Sequence, residues 1–525
     1  MKSYTQHFNT KSTPQTQPIP GQSMVQNRSG GFGFELSSWG QFDRFLILGT
    51  EGGTYHASEA VMTKENAVNT VKCIQEDGVR AVARIVEVSD KALAPKNDPA
   101  IFALALATTF GNVETKTAAY AAITKVCRIG THLFQFCEAI KAMRGWSSGL
   151  RNGVSKFYES RSADKLAMQI IKYQQREGWS HFDVLRLAHP SIKDPVGNGI
   201  LRYAARKEVE NLHPLIATFE ALKGERDEKK VIKAILEQKL PRECIPTEHL
   251  NSKKVWDALL QDMGVGAMVR NLGKMTSIGL IDSNFSEAAK LVVSKLSSAE
   301  AIKGSRIHPI AILTAMKIYV NGHGMKGSLS WNAVGAVSEA LDRAFYTSFG
   351  NVEPTGKNFL IGLDVSGSMG CASIAGSPLR SCEVTAAMSM VVARTEANHE
   401  IMGFCERITN LGITPSMSLM EVTSRVVKNN FGATDVAEAI EYATTKNLPI
   451  DVFSIWTDNE TYSGTQHVVQ ALKKHREKSG RNAKVIFCAT SASNISLADP
   501  KDPGMLDIAG FSADVPQVIS SFARS

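Results

Sequence analysis

The eight cysteines of this 525-residue chain include no CxxC pair and no Cys/His cluster at zinc-finger spacing. They stand alone at Cys73, Cys127, Cys137, Cys244, Cys371, Cys382, Cys405 and Cys488. That pattern reads as reduced core thiols of an intracellular protein, not as a disulfide framework. No stretch approaches ~18 uninterrupted apolar residues, which argues against a membrane span. The opening MKSYTQHFNTKSTPQTQPIPGQ lacks the apolar core of a secretory leader. HExxH and GxxxxGK[ST] are absent as well, so zinc-hydrolytic and P-loop nucleotide chemistry has no motif to stand on. The expectation is a non-enzymatic protein of the cytoplasm, with access to the nucleus and no membrane contact.

What is present is an uneven distribution of charge. Before Gly356 there are 44 Lys and Arg against 34 Asp and Glu; from Gly356 onward there are 15 against 17. A basic module joined to a near-neutral one points to a polyanionic partner for the first, although charge alone also fits simple solubility. Residues 1–30 are rich in Ser, Thr, Gln, Pro and Gly and read as a mobile arm. From about 55 to 345 the chain reads as helix after helix. Asp98-Pro99 opens IFALALATTF, Thr131 opens HLFQFCEAIKAM, and Ser180 opens HFDVLRLAH with Asp183 placed to answer the first amides. A long run of short amphipathic helices stacks more readily as a solenoid of antiparallel pairs than as one bundle. After Phe349, strand-like and helical runs alternate, which implies a parallel, doubly wound sheet that binds ligands at its strand ends.

The first of those strands, FLIGLD, ends on Asp364 and is followed by Ser366 and Ser368. A turn held by Asp and Ser is the plain alternative. Two further oxygen-bearing residues weigh toward a cation site: Asp458 also closes a strand, and Thr434 lies in a loop ahead of a helix. Carboxylates and hydroxyls without thiolate or imidazole suit Mg²⁺ or Ca²⁺. With those partners, DVSGS resembles the metal-ion-dependent adhesion site of von Willebrand factor A domains, over about 357–525. The resemblance implies Asp364, Ser366, Ser368, Thr434 and Asp458 as metal ligands, some through water, with Mg²⁺ as the expected ion. The long GCASIAGSPLRSC segment before the first helix departs from the pattern and implies restricted access.

In the helical part, Lys165, Gln169, Lys172 and Arg176 recur at steps of four, three and four. Those steps put them on one helix face beside an apolar face of Leu166, Ile170 and Tyr173. Such a stripe can neutralise phosphates or be an ordinary solvated face. Arg186 and His189 follow; His189 could stack on a base or simply close a helix. HFDVLRLAHP, LPRECIPTEHL, VWDALLQDM, VRNLGKMTSIGLI and SRIHPIAILTAMKIYVNG together resemble the TROVE module of the Ro ribonucleoprotein autoantigens, and the order of modules is the same. The resemblance implies a HEAT-like helical solenoid closed into a ring, followed by an A domain that helps close it. It implies binding of Y RNAs and of the single-stranded 3′ ends of misfolded noncoding RNAs, in RNA quality control. The RNA-binding candidates are then Lys172, Arg176 and His189, with Lys165 and Arg186 beside them. The expected organisation is an arm over 1–30, a TROVE-like module over 31–355 and an A-like domain over 356–525, acting as a monomer. The alternative is a metal-dependent scaffold whose A domain recruits an acidic protein partner.

Overall fold

Capping side chains set the helical part. Ser58, Asn112, Ser147 and Asp194 each precede a helix in extended backbone and accept from the amide three residues on. They satisfy donors that the first turn leaves open. Proline occupies the opening turn of Asp98–Phe110, Pro195–Arg206, Pro214–Leu222 and Pro309–Asn321, where its missing N–H costs nothing. The chain is seen here as a computed structural model that describes residues 12–210, 212–429 and 432–525.

The helices layer as a solenoid requires. Asp98–Phe110 packs on Gly130–Met143, Val113–Val126 on Ser148–Glu159, and Ser148–Glu159 on His181–Ala188. The longest element departs from the expected short repeats. Glu59–Asp90 runs 32 residues through a kink at Asp77 (φ −148°, ψ 84°). The adjacent Gly78 lets Val113–Val126 come close, since a Cβ there would lie 2.0 Å from Thr115 Oγ1. Late helices return to early ones: Arg306 Nη2 lies 3.3 Å from Asp90 Oδ1.

The C-terminal part is built on a six-stranded sheet in the order Met505–Ala509, Lys484–Ala489, Val452–Thr457, Phe359–Asp364, His399–Phe404, Ile408–Asn410. All neighbours are parallel except the last pair, so the sheet is mixed and not purely parallel as expected. Two helices, Glu438–Thr445 and Val468–Ser479, cover one face with their own apolar cluster. On the other face lies Ser381–Thr395, buried at every position from Ser381 to Ala393. Its apolar cluster continues without a break into the helical part.

Polar ties fasten the two parts. The Arg44 guanidinium, 3% exposed, donates to both Asp507 carboxylate oxygens at 2.6 Å and to the carbonyls of Ser493 and Ile495 at 3.1 and 2.6 Å. Lys317 donates to Glu383 at 2.6 Å and to the Pro378 carbonyl at 2.9 Å. The Leu419 amide donates to Asp342 at 2.9 Å.

From residue 12 onward the arm expected over 1–30 is not free; residues 1–11 lie outside the described part. Residues 12–35 run across the C-terminal domain. Gln15 is buried and donates to Asp435 at 2.6 Å, Asn27 donates to the Thr461 carbonyl at 2.6 Å, and Phe32–Glu35 pairs with both Val25–Gln26 and Ile495–Ser496. A polar composition read as disorder instead satisfies buried polar groups of another domain.

Candidate nucleic-acid interface and cation site

The predicted stripe is broken by a turn. The helix that carries Lys165 and Lys172 is Ala163–Lys172, capped at Tyr173. Gln175–Arg176 then pairs with Trp179–Ser180 across Glu177 (φ 51°) and Gly178 (φ 75°), the positive-φ pair that a two-residue hairpin needs. Arg176 is therefore on a hairpin and not one turn further along the helix. Tyr173 closes the helix and does not extend its apolar face. Gln169 serves the fold, because its Oε1 accepts from the Gly130 amide at 2.8 Å, at the open N-terminus of the neighbouring helix.

Lys165, Arg176, Arg186 and His189 are exposed, while Lys172 is half-buried. Arg176 keeps 56% of its side chain exposed and pairs with Glu177 at 3.0 Å. Ser180 and Asp183 form the expected capping box at the start of His181–Ala188. That helix carries Arg186 5.4 Å over the Phe182 ring and ends at His189 in the left-handed conformation (φ 51°, ψ 51°). Arg176 lines a cavity of about 520 Å³ with Lys96, His132, Gln135 and Ala375; Lys165, Lys172, Arg186 and His189 do not. Burial pulls the His132 imidazole down to about 4, so it is neutral at pH 7. Lys96 and Ala375 also border a second cavity of about 830 Å³, whose wall carries Arg242, Arg270, Lys274 and Trp331. Sequence reasoning did not single out these four. Arg270 and Lys274 sit in VRNLGKM at a helical step of four, a signal no stronger than that of many solvated faces.

The cation-site candidates fall where the topology puts them. Asp364 and Asp458 lie at the carboxyl ends of the adjacent parallel strands Phe359–Asp364 and Val452–Thr457. Ser366 and Ser368 belong to the turn into Gly367–Cys371, their hydroxyls 3.3 Å apart. Asp364, Ser366, Ser368, Thr434 and Asp458 are all buried, none more than 8% exposed. Asp364 accepts from the Ser366 amide at 2.9 Å and from Thr457 Oγ1 at 2.6 Å; Asp458 accepts from the Glu460 amide at 3.1 Å. Burial, then the charge of Asp458, raises the Asp364 carboxyl to about 7. Glu460 is also raised to about 7 by burial and by Asp458, against amides of Ser29 and Arg28 that favour its charge. Among the described residues no three His, Cys, Asp or Glu side chains form a metal cage. The oxygens on offer are two carboxylates and the hydroxyls of Ser366, Ser368 and Thr434, whose loop is tied to the turn by the Gly367 amide donating to the Gly432 carbonyl at 3.2 Å. This set fits a hard cation, which would relieve two carboxylates that oppose each other in a buried place. The extra segment crowds this edge. Ser373 meets Gly52 and Gly376 meets Glu51 at distances that leave no room for a Cβ on either glycine, and the cavity beside Asp458 holds only about 20 Å³.

Comparison with known proteins agrees with this architecture. Residues 358–523 match the Ro60 vWA domain, and residues 25–240 and 220–319 match the TROVE domain. A protein of Deinococcus radiodurans named RNA-binding protein RO60 is 37% identical over 530 residues, covering 100% of this chain and 99% of the relative. One of the same name from Caenorhabditis elegans is 35% identical over 594 residues, covering 98% and 92%. The crystal structure of the Deinococcus radiodurans RO (RSR) protein superposes with a TM-score of 0.70 at 36% identity, over 93% of this chain and 99% of that one. With a TROVE domain followed by a Ro60-type A domain, and relatives of this similarity along its full length, the chain belongs to the Ro60 family.

Proposed function

We propose that this protein binds RNA without catalysing its turnover. In this reading its helical part forms a ring closed by the A domain. Single-stranded 3′ ends of misfolded noncoding RNA enter the ring, Y RNAs rest on the outer basic surface, and the protein serves RNA quality control in the cytoplasm as a monomer. The relatives' shared name supports RNA as the partner. The observation that carries the reading is the pair of cavities that meet at Lys96. They are bordered by early helices, by late helices and by the A-domain hairpin at Ala375, and they present Arg176, Arg242, Arg270 and Lys274, with Glu51, Glu59 and Asp98 on the wall of the smaller one. Cations from distant helices converging on one space match a strand whose phosphates pass several walls. An A-form duplex, roughly 20 Å across, would be excluded from such a passage.

The outer surface near Lys165, Lys172, Arg186 and His189 would hold the folded part of the RNA, with Arg176 between the outer surface and the interior. Mg²⁺ at Asp364, Ser366, Ser368, Thr434 and Asp458 would brace the A domain, and the crowding beside Asp458 argues for a structural ion more than for capture of an acidic protein. The test compares one hairpin RNA with a blunt end, with a 3′ tail, and with that tail forced into a duplex. The tail should raise affinity and its duplex should abolish the gain; equal binding of all three at physiological salt removes the interior from the site. Lys172→Ala with Arg176→Ala should weaken binding and flatten the log-log salt slope by roughly two units or somewhat less.

A further inference from the structure

The cavity of about 830 Å³ between Val265–Ser277 and Pro309–Asn321 has a composition that the other large groove lacks. Its walls are apolar, with Leu250, Trp256, Val269, Ile310, Ala315 and Ile318. Tyr319 and Trp331 form a stacked pair there, with ring centroids 6.3 Å apart and planes 23° apart. Trp331 is fixed: its Nε1 donates to the Tyr319 carbonyl at 2.8 Å, and a Cβ on Gly273 would lie 2.5 Å from its ring. The charged residues that border the cavity are Lys96, Arg242, Arg270 and Lys274, and its lining holds no Asp or Glu. Lys96 is ion-paired with Glu51, whereas Lys274 rests on the Asn251 side-chain oxygen at 2.7 Å and Arg242 on that of Asn271 at 3.5 Å, both neutral. The larger groove of about 1330 Å³ beside Glu59–Asp90 is the opposite case: Glu35, Glu65, Asp499, Asp502 and Asp507 face Lys64 and Lys72.

An apolar and aromatic interior under a rim of cations fits a planar, weakly polar ring that carries phosphate. The mouth adds a cover. A loop closed by the pairing of His323 with Ser330 leaves Met325 57% and Leu329 37% exposed at the edge of the cavity. Two apolar side chains held in water beside an apolar cavity would gain by folding onto an occupant.

We propose that this cavity is a nucleotide pocket, in which one unpaired base lies among the apolar walls beside Trp331 and Tyr319 while its phosphate meets Arg270 and Lys274. The proposal rests on the RNA-binding reading and specifies it: the interior holds a base as well as a backbone. The same chemistry could be supplied by a nucleotide of an RNA tail or by a free mononucleotide.

The experiment uses the full chain and fluorescence anisotropy with three hairpin RNAs: blunt, with a natural 3′ tail, and with a tail of equal length made abasic. The abasic tail keeps the phosphates and loses the base. It should bind about 10-fold more weakly than the natural tail, the scale of stacking for one base. Ala311→Trp fills the cavity from an exposed wall position and should erase that difference while leaving the blunt hairpin unaffected. Equal affinity for natural and abasic tails, with both bound, overturns the pocket and leaves RNA binding standing. Failure of every RNA to bind overturns both. Adenosine monophosphate competing away the natural tail's advantage extends the pocket to free nucleotides; no competition assigns it to RNA alone. A 4-thiouridine in the tail should crosslink to the 323–331 loop in the unaltered protein, and crosslinks confined elsewhere refute the pocket even if Ala311→Trp misfolds.

Discussion

Replacing Arg44 by Met should loosen the seam between the two parts without unfolding either. The guanidinium is 3% exposed and its Asp507 partner 13%, so neither charge is hydrated well enough to tolerate loss of the other. Met keeps most of the apolar stem. What is lost is the bidentate pair, both at 2.6 Å, and the donors to the Ser493 and Ile495 carbonyls. Breaking one partner of a buried pair costs about 3–5 kcal/mol, most of it the penalty of stranding the other charge. Asp507 keeps a hydroxyl from Ser496, which places the expectation at the lower end, about 3 kcal/mol. Native-state hydrogen exchange gives the assay. Amides of Ser38–Leu48 and of Met505–Ala509 should lose protection in Arg44→Met, while those of Val452–Thr457 in the middle of the sheet should not. Adding Asp507→Asn should restore part of the loss, since the stranded carboxylate is then gone. A change below about 1 kcal/mol, or the same loss in the double variant, would refute the account of the seam.

Gly273→Ala should lower stability by about 1–3 kcal/mol, because the new methyl meets a fixed Trp331 ring; an unchanged melting temperature would mean the ring is not fixed. The protein should lose stability in mild acid through His181. Burial holds that imidazole at about 4, against about 6.5 unfolded, so its contribution is complete above pH 6.5 and is lost as pH falls toward 4. The loss should approach about 3 kcal/mol, and His181→Gln should show a shallower decline in urea titrations across that range. Asp364→Asn should abolish the heat of Mg²⁺ binding in isothermal titration while sparing most RNA binding; parallel loss of both, in a folded variant, would place metal and RNA at one site.

The sequence was most legible where a residue type does one thing in one place. Asp364 and Asp458 each end an apolar run, and a parallel sheet brings such ends to one edge whatever the loops do, so the nearness of these two carboxylates was legible before the fold was seen. Ser180 and Asp183 announced a capping box for the same local reason. The basic stripe misled because helical steps of three and four continue in the letters past the helix end. Glu177-Gly178 was the warning, a turn pair that carries Arg176 onto a hairpin. The antiparallel edge strand Ile408–Asn410 is only three residues long, too short for alternation to register. Gln15 and Asn27 look like disorder-forming residues until the Asp435 carboxylate and the Thr461 carbonyl they serve are known, and those lie more than 400 positions away. The cavity walls near Trp331 come from segments that no local pattern joins.

The tie between Arg44 and Ser493 also sets a clock for biogenesis, since 449 positions separate them. At ribosomal rates of about 5–20 residues per second, the helix Ser38–Leu48 waits roughly 20–90 s for the segment on which it docks. During that time Phe42, Phe45 and Leu46, buried in the finished protein, depend on other helices or on a chaperone for cover. A chain released before about residue 495 would leave the strand Phe32–Glu35 with an unpaired edge, the kind of surface that recruits a second copy and aggregates. Premature termination late in the message should therefore yield an insoluble product, even though the helical part up to Gly335–Thr347 has been made in full.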